Sequence, residues 1–150
     1  MKLTHLFSHW KGVRNGLLET MDKFTDEELT YKPYDGARSV GEIMLHIANA
    51  EDGWIRYAVK REVEEWPNHH TLENYPTLEA IKELLDDVHS DTQVYLANLE
   101  LDDLARKFVS PWGAEFALGF VFWHVIEHEI HHRGELSLIL GQLGREGLEV

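Results

Sequence analysis

The sequence predicts an all-α fold, a four-helix bundle with one long crossover between the second and third helices. Two observations carry that prediction. Four stretches hold apolar residues at intervals of three and four, and all four prolines fall between those stretches. A third fixes the topology: REVEEWPNHHTLENYP, residues 61–76, has two prolines and little periodicity, and is longer than an antiparallel helix pair needs.

In the first stretch Leu3, Phe7, Trp10, Val13, Leu17, Met21 and Phe24 repeat as one buried face of a single long helix requires. The second begins at SVGE, where Ser39 and Glu42 form a capping box. Its stripe of Val40, Ile43, Met44, Ile47, Ile55 and Ala58 predicts an end near Lys60. The third starts after Pro76 with Thr77 as its N-cap and runs through Leu78, Ile81, Leu85, Val88 and Leu96. The fourth spans about Phe116 to Leu143, with glycines 141 and 144 at its fraying end. Helices of about twenty residues are roughly 30 Å long, and the crossover can return along that length, so helices two and three are expected to run parallel.

With 150 residues the chain, 1–150, is the size of one ordinary domain. The absence of cysteine removes disulfides, zinc ribbons, iron–sulfur sites and thiol nucleophiles, so any metal must be held by nitrogen and oxygen. A net charge of −13, from 27 acidic and 14 basic side chains, opposes phosphate backbones and anionic lipid. Nucleic acid and membrane are therefore not expected as partners. The opening MKLTHLFSHWKG has no long apolar core or cleavage site, and a cytoplasmic protein is expected.

Chemistry concentrates in HVIEHEIHHRGEL, residues 124–136. At about 100° per residue, Val121, Val125, Leu136, Ile139 and Leu143 gather on one side of helix four, with His128 and His132 in the middle of that stripe. His124 sits on its edge and His131 points to a polar flank, as a surface imidazole. Four-residue spacing brings two rings within reach of one ion, whereas His124 and His132, two turns apart, do not share one easily. Each histidine left unpaired in a core costs about 1–3 kcal/mol, a deficit that a metal answers. The third ligand is expected from another helix, and His46, the one histidine inside helix two, is the candidate. His5 and His9 flank the stripe of helix one and read as surface residues. His69 and His70 in the crossover and His89 on helix three read as solvated.

HEIHH also satisfies the zinc-protease pattern H-E-x-x-H, with Glu129 in the position of its general base. The metzincin extension fails, because Gly134 comes one place early and Leu138 stands where a third histidine belongs. Little chain follows for a distal ligand, and Glu129 projects away from His128 toward the far rim of the stripe. A ferritin-like di-iron centre needs a second E-x-x-H, and none occurs.

SVGEIMLHIANAE followed about eighty residues later by HVIEHEIHHRGEL resembles the DinB/YfiT-like family of metalloenzymes, and the resemblance covers essentially the whole chain. Its most specific feature is H-x-x-x-H-R-G with an upstream histidine on helix two. The resemblance implies a four-helix bundle, commonly a homodimer, with a divalent metal on three histidines that map onto His46, His128 and His132. Glu135 stands where such proteins often carry glutamine. The implied chemistry is S-transfer with a low-molecular-weight thiol such as bacillithiol or mycothiol, or metal-dependent hydrolysis of a small molecule. A non-enzymatic bundle that senses or stores metal is a third reading. A nitrogen-rich site with open positions suits zinc, nickel, iron or copper.

Three further features bear on function. Glu51 falls near the centre of helix two's stripe, where it can orient a ligand histidine, act as general base, or meet Arg14, which interrupts the apolar pattern of helix one. Trp54, Trp66, Trp112 and Phe116 are candidates to line a substrate pocket. Helix four has a second apolar side, Trp123, Ile126 and Ile130 beside the small residues Gly134, Ser137 and Gly141, which suits a twin subunit.

Overall fold

The structure is a computed structural model and describes residues 1–150. Five helices build it: α1 (Leu3–Leu6), α2 (Trp10–Met21), α3 (Val40–Asp52), α4 (Leu78–Ala97) and α5 (Leu118–Gln142). Side-chain contacts give their directions. Arg14 of α2 meets Glu51 near the end of α3, so α2 and α3 are antiparallel. Leu72, just before α4, packs on Gly41 at the start of α3, and His89 of α4 bonds Glu51, so α3 and α4 run parallel as expected. Phe7 meets Phe122 and Lys23 meets Gly147, so the first and last helices also run together.

The predicted first helix is in fact two, broken at residues 7–9. Lys2 forms a bridge with Glu100, and the Leu3 amide donates to Leu99, which ties the start of the chain to the end of α4. The axis bends to meet that tie. The apolar face survives the bend, because Leu3, Phe7 and Trp10 are all buried. At α3 the capping box forms as read: Ser39 Oγ accepts from the Glu42 amide and Glu42 from the Ser39 amide. The helix continues as a wider π-helical stretch, Gly53–Val59, and stops at Lys60. Thr77 caps α4 through the Ala80 amide.

Before α5 lies a hairpin that helical periodicity did not foresee, Lys107–Val109 (β1) paired antiparallel with Glu115–Ala117 (β2). It takes Phe116 out of the predicted fourth helix. Gly113 in its turn has φ +86°, a backbone region that glycine enters without cost.

The crossover is clamped onto α3 rather than solvated. Gly53 leaves room for the Trp66 indole, with which a Cβ there would overlap, and Gly41 does the same for Leu72. Asn49 accepts from Trp66 Nε1 at 2.7 Å and donates to the Pro67 carbonyl at 2.6 Å. Beyond it, the His70 side chain is 1 % exposed and lies 3.3 Å from Asp52, which also pairs with Arg56. His70 is thus not the solvated residue the sequence suggested; the docked crossover covers it.

Two apolar clusters fill the bundle, one around Leu17, Met44, Leu85 and Leu136, the other around Trp10, Ile55, Leu96 and Phe122. Buried charge lies in the same interior. The Arg14 guanidinium donates to both oxygens of Glu129, to Glu51 at 2.7 Å and to the Leu85 carbonyl at 2.9 Å. Trp10 Nε1 donates to Glu129 in the buried interior, and Nδ1 of the half-buried His89 meets Glu51. Burial alone would raise the Glu51 carboxyl, yet Arg14 and His89 hold it below the ordinary carboxylate range. No helix is long and apolar enough to cross a membrane.

Candidate metal centre

Where α3 faces the middle of α5, three imidazoles converge. His46 Nε2 lies 3.0 Å from His128 Nε2. The rings of His46, His128 and His132 pack edge to face with centroids 4.4 to 4.8 Å apart, and one nitrogen from each lies within 4.8 Å of the others. The three residues singled out in the sequence are brought together from two helices. His132 is buried, and the other two are half-buried at the edge of the bundle.

Hydrogen bonding sets one tautomer. His132 Nδ1 lies 2.7 Å from Glu135 Oε2, and a carboxylate only accepts, so Nδ1 carries the proton and Nε2 presents its lone pair. The sequence reading named Glu135 without giving it a role; the structure sets it behind His132, and its i+3 spacing was the signal for that contact. Burial pushes the imidazoles down: His46 to about 4, helped by the nearby charge of Arg38, and His128 to about 3, helped by His132 and His46. His132 is lowered by burial too, against the opposing pull of Glu135. All three rings are neutral at pH 7, the state in which imidazole binds a cation. Between His46 and His128 only one of the two facing nitrogens can carry a proton, so the pair makes at most one hydrogen bond. A donor set of three neutral nitrogens with a carboxylate behind one of them fits a divalent transition metal.

Other sequence candidates lie elsewhere. His124 stacks on Phe120 at 5.3 Å, its ring 6.3 Å from His128, and belongs to an aromatic column. His5, His9 and His131 are exposed, as read. His89 is not solvated: its side chain is 15 % exposed and tied to Glu51. Of the three roles open to Glu51, the ion pair with Arg14 is the one formed, and the carboxylate meets none of the three converging imidazoles. Glu129 does not reach a rim; it is 1 % exposed and turned inward to Arg14 and Trp10. Glu129, the protease-type base of the H-E-x-x-H pattern, is thus held by Arg14, as is Glu51, the other candidate general base. Trp54 gathers Trp66, Trp112, Phe116 and Phe120 around it, at centroid distances of 5.2 to 6.2 Å.

A four-helix bundle with a long crossover between its parallel second and third helices defines a class of fold, and comparison places the chain within it. A model of the DinB superfamily matches residues 9–136, and the chain belongs to that superfamily. YizA of Bacillus subtilis, an uncharacterised protein, is 27 % identical over 133 residues, covering 87 % of this chain and 80 % of YizA. YfiT of Bacillus subtilis, described as a probable metal-dependent hydrolase with an unusual four-helix bundle topology, shares the fold. Its TM-score is 0.60 at 22 % identity, over 89 % of this chain and 87 % of that one. A mycothiol-dependent maleylpyruvate isomerase also shares it, with a TM-score of 0.60 at 14 % identity over 88 % of this chain and 60 % of that one.

Proposed function

We propose that the chain is a metal-dependent enzyme of small-molecule chemistry, its divalent cation held by the Nε2 atoms of His46, His128 and His132. One observation carries the reading: three neutral imidazoles from two helices have a nitrogen each within 4.8 Å. Three nitrogen ligands leave positions open for substrate, the mark of a catalytic rather than a structural site. When bound, the cation supplies Lewis acidity that favours the anionic form of an attacking thiol or water. The chain's own part is positional. Glu135 holds the Nδ1 proton of His132 and fixes that ring, while α3 and α5 hold His46 and His128 at the cleft.

We favour thiol-dependent transfer, supported by the shared fold of the mycothiol-dependent isomerase and by the low-molecular-weight thiol that the sequence resemblance implies. The description of YfiT supports hydrolysis as the second reading. The two part on a simple assay: purified protein accelerates attack of a low-molecular-weight thiol on an aryl halide if the first holds, and hydrolyses an activated ester without thiol if the second does. Elemental analysis should find about one divalent ion per chain, lost in His128→Ala. Full metal content in that variant contradicts the assignment.

A homodimer through α5 belongs to the same proposal. Trp123 and Ile130 are 58 % and 41 % exposed, and nothing lies within 4 Å of the Cβ positions at Gly134 and Gly141. Ser137 is excluded from that face, because the chain's own tail covers it through the Leu148 amide at 2.6 Å. Light scattering that returns a monomer mass contradicts the dimer.

A further inference from the structure

The chain carries 27 carboxylates against 14 lysines and arginines, and eleven of those cations are spoken for by an ion pair or a hydrogen bond to the chain. Lys11, Lys32 and Arg38 have no such partner. Two of these three, Lys32 and Arg38, line one cavity of about 490 Å³, and the same cavity is lined by His46. Its volume lies within the range of small-ligand sites.

The other polar side chains around that cavity each have a partner in the chain; His70 meets Asn49 through Nδ1, while its buried Nε2, 3.3 Å from Asp52, makes no hydrogen bond. Glu42, its one carboxylate, accepts from the Ser39 amide at 2.6 Å in the capping box, where the positive end of α3 offsets its charge. Asn49 is engaged by Trp66, Pro67 and His70. Thr71 accepts from the Asn74 amide. The side chains left without a partner in the chain are therefore the two cations, and they line the same cavity as one imidazole of the proposed metal centre. The loop that carries them is held in shape, with the Val40 amide on the Tyr31 carbonyl at 2.9 Å and Gly36 at φ +85° between.

Resting on the metal-site reading for its location, we infer that Lys32 and Arg38 form an oxyanion subsite beside His46, and that the substrate carries a carboxylate or phosphate group that they hold. A guanidinium fork matches either group in two parallel bonds, and an ammonium adds a second point of charge. In a chain of net charge −13 such a pocket also selects, since it sets two unpaired cations on one cavity while the third, Lys11, stands alone elsewhere.

The test is calorimetric titration of the purified protein, at low salt, with succinate, with inorganic phosphate and with neutral succinamide. The parent should bind succinate or phosphate and ignore succinamide; the tighter of the two anions identifies the group. The double variant K32Q/R38Q should bind that anion about tenfold more weakly or worse, from the loss of two charge-assisted contacts. Both positions are exposed, so the fold is kept, and metal content should equal the parent's. Equal affinity in parent and double variant, or equal binding of succinamide, overturns the subsite, as does binding of neither anion. His128→Ala separates this failure from that of the metal reading: it should lose the ion while retaining Lys32- and Arg38-dependent anion binding.

Discussion

Replacing Arg14 by methionine tests the interior of the bundle. The guanidinium makes four hydrogen bonds, three to the carboxylates of Glu51 and Glu129 and one to the Leu85 carbonyl. Methionine fills much of the volume but leaves two carboxylates, each 1 % exposed, with no cation between them. Breaking a buried pair by removing one partner costs about 3–5 kcal/mol. That is about a fifth or more of the stability of an ordinary domain, about 5–15 kcal/mol. At about 2–4 °C per kcal/mol for a chain of this size, the melting temperature should fall by roughly 10 °C. Urea unfolding at pH 7 reads the loss directly. The pH dependence has a definite sign: in the variant burial raises the Glu51 carboxyl once the Arg14 charge that held it down is gone, so its penalty is full at neutral pH and fades as acid protonates it. The gap between parent and variant should therefore narrow from pH 7 toward pH 5. A loss below about 1 kcal/mol, or a gap that does not change with pH, refutes the charge network as the organiser of the interior.

Removing the carboxylate behind the site, Glu135→Ala, should weaken metal binding by about tenfold to a hundredfold in a chelator competition, with little change in unfolding midpoint; unchanged affinity would remove Glu135 from the centre. Because burial lowers His46 to about 4 and His128 to about 3, the unfolded chain takes up protons there first as pH falls. The stability these rings contribute is complete above about pH 6.5 and drains as pH drops toward 4 and 3. The urea midpoint of the metal-free parent should accordingly fall more steeply between pH 6.5 and 4 than that of a His46→Gln, His128→Gln double variant; equal slopes contradict the neutral cluster. Gly53→Ala forces a methyl against the Trp66 indole and should cost about 1–3 kcal/mol with a shift in tryptophan emission, whereas a neutral substitution would mean the crossover is not docked there.

Periodicity carried most of the fold because it reports which face is buried, and Leu3, Trp10, Met44, Leu85 and Leu136 are all buried as their spacing requires. It could not see the break at residues 7–9. The tie that bends the axis runs from Lys2 to Glu100, and pairing across nearly a hundred residues leaves no trace in a helical stripe. The hairpin escaped for a related reason: three-residue strands are too short to show alternation. At the site, the stripe of α5 identified His128 and His132, and uniqueness on α3 identified His46. Tertiary pairing decided what those arguments left open. In sequence Glu129 reads as a rim carboxylate and Glu51 has three roles open to it, of which an ion pair with Arg14 is one; in the fold that one arginine from α2 satisfies both. His70 looks solvated because crossover residues usually are, and only the room that Gly41 and Gly53 leave for Leu72 and Trp66 reveals that this segment is packed.

The central claim is a cation shared by two helices, and anomalous diffraction at the absorption edge of the metal found in the purified protein tests it most directly. The account predicts one strong peak about 2.1 Å from the Nε2 atoms of His46, His128 and His132 together. A peak bound instead by His131 and Glu135 on the outer face of α5, or none at the convergence of the three rings in metal-soaked crystals, contradicts it.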